Sequence, residues 1–237
     1  METKDLDIVY MLKKGGTKEE FRYSLRSLVN FPHRNVWVYG DCPNWARGIF
    51  TMPCMQFGVK WQNTSNMLRL AALNPHISEN FVYFNDDFFI MRPGDTLDYH
   101  YTRTLDDRIS TCKIKNGGIA VLSRYGQQLQ SCESYLVKSN LSTRNYELHI
   151  PMIFNKQKLV QAIKKLPDKG FGARRSLYGN LYDVGGIERE DCKIYGLLDN
   201  YPGGGERFLS TTDLTFMRGL VGRQIRTKFK DECMYEK

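Results

Sequence analysis

The sequence predicts an α/β fold with a mostly parallel central sheet and helices on its faces. Residues 7–12 and 35–40 are apolar runs typical of buried strands, and between them apolar residues recur at helical spacing. Strand, helix and strand in that order form a β-α-β unit, whose two strands are parallel. A second helical segment at residues 63–73 leads into another apolar run at residues 81–84. The first half of the chain is therefore predicted as β-α-β-(β)-α-β.

The remaining elements are predicted from shorter patterns. Thr17 and Glu20 have the spacing of a capping box at the start of the first helix, and Asn63 or Thr64 suits the N-cap of the second. Three glycines at residues 203–205 predict a flexible lid before a helix that begins at Thr212 or Asp213. Strands are further expected at 56–59 and 116–122, helices at 127–137 and 155–166, and loops at 95–103 and 142–145. A basic helix with one apolar side ends the chain; it either follows a phosphate backbone or docks on the sheet.

The most informative stretch holds Asn85, Asp86 and Asp87 between the apolar runs 81–84 and 88–91. An unpaired buried charge costs several kcal/mol, so two adjacent carboxylates between buried strands need a counter-charge. A divalent cation that carries a phosphate group would supply it, and hard oxygen ligands suit Mg²⁺ or Mn²⁺. The alternative, an edge turn with both carboxylates in water, is less consistent with such apolar flanks.

Glu147 and His149 are the strongest candidates in the second half of the chain. They lie two apart on a segment predicted to be extended, so their side chains share one face. A carboxylate and an imidazole together can abstract a proton from an acceptor hydroxyl. His149 is equally a candidate third metal ligand, since Mn²⁺ accepts imidazole. A histidine that packs against Pro151 is the structural alternative.

Two arginines and one more carboxylate complete the candidates. Arg174 and Arg175 follow Gly170 and Gly172, and a mobile loop with two guanidinium groups suits a diphosphate clamp. A nucleic-acid contact or a surface ion pair would use the same residues. Asp213 either caps the helix that follows it or contacts substrate or metal.

Length, charge and cysteine usage limit the classes of protein. A chain of 237 residues, 41% of them hydrophobic, is long enough for one domain with a core. The net charge of +8 suggests an anionic partner, such as a nucleotide, nucleic acid or acidic glycan, unless it serves only solubility. The six cysteines form no C-x-x-C pair, so we expect reduced thiols in the cytoplasm. No run approaches the about 18 apolar residues of a membrane span, and the polar start does not resemble a signal peptide.

Several blocks resemble the Stealth family of sugar-phosphate transferases, which act from nucleotide sugars. Asp-Ile-Val-Tyr at 7–10, the helix at 21–28 and the block at 81–89 resemble its first conserved regions. The same blocks are similar to GT-A glycosyltransferases, whose Asp-x-Asp-type motif holds a metal on the nucleotide diphosphate. Residues 147–151 resemble the Stealth His-x-Pro block, and residues 172–178 its arginine-bearing stretch. Residues 210–213 resemble its final Asn-Asp block, with Thr212 in place of the asparagine.

The resemblance implies a single GT-A-like domain, with residues 1–95 binding the nucleotide sugar and residues 96–237 the acceptor. It implies that Asp86, Asp87 and His149 hold Mn²⁺ or Mg²⁺. It further implies that the nucleotide sugar is bound by Asp7, Tyr10, Arg22, Asn85, Arg174 and Arg175, and that Asp87, Glu147, His149 and Asp213 act in catalysis.

We therefore expect a metal-dependent glycosyltransferase that moves a sugar from a UDP-sugar to an acceptor hydroxyl. Small enzymes of this kind resemble those of phages that decorate hydroxymethylated bases, so a 5-hydroxymethylpyrimidine in DNA is the expected acceptor. Such a base must be flipped out of the duplex. The alternatives are a Stealth-like sugar-1-phosphate transferase acting on a surface polysaccharide, and a non-catalytic nucleic-acid-binding protein.

Overall fold

A computed structural model of the chain describes residues 1–116, 119–165 and 171–237. The strands in these ranges are β1 (Asp7–Leu12), β2 (Val36–Gly40), β3 (Phe50–Met52), β4 (Asn80–Phe84), β5 (Phe88–Ile90), β6 (His100–Thr104), β7 (Lys113–Asn116), β8 (Ile119–Leu122), β9 (Arg144–Asn145), β10 (Met152–Asn155), β11 (Ile187–Glu188), β12 (Lys193–Ile194) and β13 (Phe208–Thr211). The α-helices are α1 (Glu19–Ser27), α2 (Lys60–Leu73), α3 (Leu105–Ser110), α4 (Arg124–Lys138), α5 (Lys156–Lys165), α6 (Arg174–Leu181), α7 (Asp213–Arg218) and α8 (Leu220–Lys228). Short 3₁₀ turns occupy Leu28–Asn30 and Phe171–Ala173.

The central sheet has the strand order β10-β4-β1-β2-β3. β1 pairs in parallel with both β2 and β4, and only the edge strand β10 runs antiparallel to its neighbour. Side chains alternate along β1, so Ile8 and Tyr10 pack with α1 on one face, while Val9 and Met11 pack with α2 on the other. The predicted α/β fold with a mostly parallel sheet between helices is confirmed.

A second, three-stranded sheet, β12-β13-β5, begins where β4 ends, because only residues 85–87 separate β4 from β5. Helix α8 docks against this sheet by burying Val221 and Ile225 in a cluster with Phe89 and Leu209. The docked position of the last helix is thus established. Its basic side remains exposed to solvent, together with flanking cationic residues: Arg218, Arg223, Lys228 and Lys230.

Several local predictions are wrong at the ends of elements. The capping box does not form, because Lys18 takes the N-cap of α1 in a left-handed conformation with no side-chain cap. Helix α2 begins at Lys60, ahead of Asn63 and Thr64. The third strand is β3 rather than residues 56–59, and Phe50 in β3 stacks on Trp37 of β2 at 4.5 Å between ring centroids.

Three short strands also form where loops or polar runs were expected. β6 covers the end of the predicted loop at 95–103 and one residue beyond it, and β9 lies within the predicted loop at 142–145; the two strands pair with each other. β13 precedes the predicted helix cap at Thr212, which is confirmed as the N-cap of α7. Pairing with a distant segment creates all three strands, so no local periodicity marks them. Residues 117–118 of the predicted turn, residue 166 of the predicted helix and Gly170 lie outside the described residues.

Within the described ranges, no helix has both the length and the apolar character needed to cross a membrane. All six cysteines are free thiols, as the sequence predicts.

Candidate functional site

A cleft of about 610 Å³ opens at the carboxyl-terminal edge of the central sheet. Parallel strands β1 and β4 are neighbours, so the residues that follow them meet at this edge, where ligands bind in open α/β sheets. Lys13 follows β1, and residues 85–87 follow β4. Lys193 and residues 211–213 enter from the second sheet. The cleft therefore draws on both predicted halves of the chain.

Asp87 is already paired in this structure. Its Oδ2 accepts from Lys193 Nζ at 2.6 Å and from Ser210 Oγ at 3.1 Å. The side chains of Asp87 and Lys193 are only 14% and 13% exposed. Burial alone would lower the pKa of Lys193, but the neighbouring Asp87 carboxylate raises it above its ordinary value. Lys193 is therefore a permanent cation at the acidic pair.

Asp86 forms no ion pair with any residue in the described part of the chain. Burial raises the pKa of its carboxyl, and the adjacent Asp87 raises it further, while Lys13 and Lys60 partly offset both effects. Such a carboxylate is stabilised by any added positive charge. Asp86 is thus the member of the pair that fits a bound cation.

A second acidic pair lies across the cleft. Burial raises the pKa of Glu20 to about 8, with smaller contributions from Asp87 and Asp213. Although burial opposes it, hydrogen bonds from Glu20 and Lys13 lower the pKa of Asp213. At neutral pH Glu20 therefore holds a proton that Asp213 accepts as a hydrogen bond. Thr211 Oγ1 also donates to Glu20, at 2.9 Å.

His149 is oriented by an aspartate that the sequence prediction missed. His149 Nδ1 lies 2.6 Å from Asp191 Oδ2, while Asp191 Oδ1 accepts from the backbone N–H groups of His149 and Cys192. Despite burial, these contacts, led by the His149 side chain, lower the pKa of Asp191. An ionised carboxylate only accepts hydrogen bonds, so Nδ1 of His149 carries the hydrogen and Nε2 of the neutral ring keeps a lone pair.

The two arginines of the predicted diphosphate clamp lie in different surroundings. Arg174 lines the cleft and donates from Nη2 to Tyr83 Oη at 2.7 Å. Arg175 is buried, and its Nη1 donates to the backbone carbonyls of Leu148 and Ile150. Both arginines begin α6 rather than lie in a loop, and both guanidinium groups lie over the Tyr83 ring. Arg175 therefore stabilises the segment that carries His149 and is not a free phosphate ligand.

Glu147 lies outside the cleft, in a second cavity of about 420 Å³ beside it. Its carboxylate accepts from the backbone N–H of Ser176 at 2.9 Å. Asn85 and His149 line both cavities. Of the predicted site residues, the structure thus brings Asn85, Asp86, Asp87, His149, Arg174 and Asp213 to the cleft, with Glu147 and Arg175 next to it in the second cavity.

Three other predicted ligand-binding residues lie elsewhere, which contradicts their assignment to the nucleotide sugar. Asp7 is fully buried at the opposite end of β1, where Arg34 Nη2 contacts it at 2.6 Å. Tyr10 is fully buried in the core, with its hydroxyl 2.9 Å from Ser24 Oγ. Arg22 packs over the Trp45 ring and pairs with Glu19 and Glu236 on the surface of α1.

Whether the cleft suits a metal ion depends on whether the ligands are protein side chains alone or side chains together with substrate phosphates. Among the described residues, no three His, Cys, Asp or Glu side chains are grouped closely enough to hold a metal ion. Asp86, Asp87 and His149 therefore do not form a ready three-ligand site. Mg²⁺, however, is commonly held by one or two carboxylates together with substrate phosphates. The buried, incompletely neutralised Asp86–Asp87 pair fits that arrangement.

Lys193 and Asp191 are the functional residues that sequence reasoning missed. Lys193 lies in β12, a strand of two residues, and Asp191 lies in the irregular segment just before it. Neither belongs to a recognisable motif. A carboxylate partner for a candidate histidine is a general expectation, but nothing in the sequence selects Asp191 over the other acids.

No protein-family model matches the sequence, and no curated protein is significantly similar to it. The glycosyltransferase GlyE of Streptococcus pneumoniae TIGR4 is 12% identical over 79% of this chain and 46% of its own, with a TM-score of 0.35. The bifunctional glycosyltransferase WbbM is 10% identical over 95% of this chain and 45% of its own, with a TM-score of 0.39. Mouse xyloside xylosyltransferase 1 is 10% identical over 98% of this chain and 96% of its own, with a TM-score of 0.40. The chain spans about half the length of the first two. Likenesses at this level carry no argument about activity.

Proposed function

We propose that the protein is a GT-A-type glycosyltransferase that moves a sugar from a UDP-sugar to an acceptor hydroxyl. The observation that carries the proposal is the cleft at the carboxyl ends of β1 and β4, where an acidic pair meets several cations. Lys13, Lys60, Lys193 and Arg174 line this cleft. A nucleoside diphosphate is the ligand class that uses both features, because its phosphates pair with cations and share a metal with carboxylates.

The diphosphate would lie between the lysines and Arg174. Arg174 is held by Tyr83, so its guanidinium is already oriented when the donor arrives. When bound, a divalent cation supplies charge neutralisation for the leaving diphosphate, and Asp86 and Asp87 are the residues that would hold it. Lys193 donates to Asp87 and holds its carboxylate in place. Asn85 would contact the same ligand from the end of β4.

His149 is the best-supported proton acceptor among the candidates. It lies at the junction of the two cavities, and Asp191 leaves Nε2 free to take a proton. As the acceptor oxygen bonds to the sugar C1, the bond from C1 to the diphosphate oxygen breaks. Its electron pair leaves with UDP, and the acceptor proton goes to Nε2. Glu147 lines the second cavity, on the proposed acceptor side. Asp213 lies on the donor side, where it accepts a hydrogen bond from Lys13.

The predicted acceptor, a hydroxymethylpyrimidine base in DNA, is supported by the charge of the protein and by its free cysteines. The net charge is +8, and exposed arginines and lysines lie on and beside α8. Free thiols suit the reducing cytoplasm, where such DNA would be found. A sugar-1-phosphate transferase is the second candidate, because His149 of the Stealth-like block does lie at the cleft.

The test is turnover of a panel of UDP-sugars with Mn²⁺, with and without hydroxymethylpyrimidine DNA. We expect nucleotide release from one sugar, and loss of turnover with retention of fold in Asp87→Ala. Asp98→Ala, which alters an exposed aspartate outside the cleft, is the matched control. Full activity of Asp87→Ala would refute the proposed role of the acidic pair. DNA-stimulated release would establish the acceptor class, and release unaffected by DNA would exclude it.

A further inference from the structure

The second cavity, of about 420 Å³, has no role in donor binding as described above. It adjoins the cleft and shares five lining residues with it: Lys60, Thr64, Asn85, His149 and Arg174. Its size is in the usual range for small-molecule sites. A molecule bound there would meet the donor at His149, so we call this cavity the acceptor cavity.

Its wall is strongly cationic. Its cationic lining residues are Lys60, Arg108, Arg124, Arg174 and Arg175, and none of the five forms an ion pair with a carboxylate in residues 1–116, 119–165 or 171–237. The carboxylate of Glu147 also lines the cavity, but it is fixed by the backbone N–H of Ser176. The cations therefore outnumber the carboxylates on the wall, and an anion is the ligand that balances them.

Three helices add to this field by their direction. Lys60, Arg124 and Arg174 are the first residues of α2, α4 and α6, and each lines the acceptor cavity. Helix amino termini carry partial positive charge and unsatisfied N–H groups, which favour phosphate and other anions. Part of this capacity is already used, because Glu147 accepts from the Ser176 N–H of α6 and Ser123 caps α4. The cationic side chains of the wall therefore carry the preference for an anion, and the helix ends add to it.

Two buried donors in the wall lack partners. Trp61 Nε1 and Arg174 Nε are inaccessible to solvent and make no hydrogen bond within the described chain. Both residues line the cavity, but these two N–H groups lie behind its surface and do not face a ligand inside it. The aromatic rings of Trp61 and Tyr125 offer apolar surface for a sugar or base ring.

We propose that the acceptor cavity binds an acceptor that carries a phosphate group, and that it directs the hydroxyl to be glycosylated toward His149. The inference rests on the proposed glycosyltransferase function and names the substrate class of the same site. Arginine pairs phosphate oxygens bidentately, so Arg108 and Arg124 are its specificity residues. The phosphate belongs either to a nucleotide or to a sugar phosphate, since both present the same group beside a ring.

The test is calorimetric binding to protein saturated with UDP, which keeps phosphate probes out of the donor cleft. One probe pair is 5-hydroxymethyl-2′-deoxycytidine 5′-monophosphate and its nucleoside; the other is glucose 6-phosphate and glucose. We expect the phosphorylated member of at least one pair to bind about tenfold or more tightly, since a charge-assisted contact contributes about 1.5–3 kcal/mol. Whichever pair shows the larger difference identifies the source of the phosphate.

Variants test whether the preference for the phosphorylated probe arises in the acceptor cavity. Arg124→Gln should abolish most of the preference for the phosphorylated probe, and Arg108→Gln should weaken it. Arg223→Gln, which alters an exposed arginine of α8 outside the cavity, is the matched control and should keep it. Equal binding of both members of both pairs would overturn the inference, and so would equal losses in Arg124→Gln and Arg223→Gln. Absence of UDP binding to the wild-type protein would refute the donor cleft, and with it the proposed function itself.

Discussion

Replacement of Asp191 by asparagine tests the assignment of His149 most sharply. The amide oxygen can still accept from the backbone N–H groups of His149 and Cys192, which Asp191 Oδ1 now satisfies at 2.8 and 2.9 Å. The amide nitrogen then takes the place of Oδ2, 2.6 Å from His149 Nδ1. A donor at that position favours the ring tautomer with its hydrogen on Nε2, where the lone pair is needed. The substitution therefore removes the base while it leaves the local backbone in place.

The magnitude follows from the interaction that is lost. A hydrogen bond to a charged group contributes about 1.5–3 kcal/mol, so kcat should fall about 10- to 100-fold. KM for the donor should change little, because Asp191 is absent from the donor cleft. The assay is steady-state nucleotide release. Glu190→Gln, which changes the neighbouring exposed carboxylate, is the control and should leave kcat unchanged.

A double-mutant cycle separates positioning from an independent effect. If Asp191 acts only through His149, then Asp191→Asn should have little further effect in a His149→Gln background. The reasoning is refuted if Asp191→Asn retains kcat within about twofold of the wild type, since loss of the hydrogen bond to Asp191 alone predicts a fall of at least about tenfold. The reasoning is also refuted if the losses of kcat in the two single variants multiply in the double variant.

Four further outcomes are expected. Lys193→Met leaves the buried Asp87 unpaired, so it should lower the free energy of unfolding by about 3 kcal/mol and increase thermal stabilisation by Mn²⁺; an unchanged melting temperature would contradict the pairing. The pKa of Glu20 is about 8 in the folded protein and about 4.3 in the unfolded chain, so the free energy of unfolding should fall as pH rises between these values. In urea titrations at a series of pH values, Glu20→Gln should make this fall smaller. Asp7→Asn should reduce stability by a few kcal/mol without weakening UDP binding; weaker UDP binding at unchanged stability would restore its predicted ligand role. If DNA is bound, log affinity should fall linearly with log salt concentration, and a flat dependence would argue against a DNA partner.

The strands β1, β2 and β4 of the central sheet were predictable because they are buried on both faces. The apolar runs at residues 7–12 and 81–84 correspond to β1 and to most of β4, and the helical spacing between strands marks α1 and α2. The continuous burial of β1 also explains why the predicted positions of Asp7 and Tyr10 differ from those in the structure. Every residue of β1 is buried, so nothing in the pattern shows that Tyr10 points into the core or that Asp7 pairs with Arg34 at the far end.

The site was predictable only where its residues follow a strand in the sequence. Asp86 and Asp87 could be placed at the edge because an apolar strand leads directly into them. Lys193, the partner of Asp87, lies 106 residues beyond it, and Asp191 lies 42 residues beyond His149. The short strand β12 brings Lys193 to the cleft through pairing with β13. Long-range pairing of so short a segment leaves no periodicity to detect.

The identity of the nucleotide product tests the central claim most directly. Purified protein with Mn²⁺, the preferred UDP-sugar and an accepted acceptor should release UDP in a one-to-one ratio with the glycosylated product. Release of UMP, with the sugar transferred as its phosphate, would contradict the glycosyltransferase account and establish a sugar-phosphate transferase.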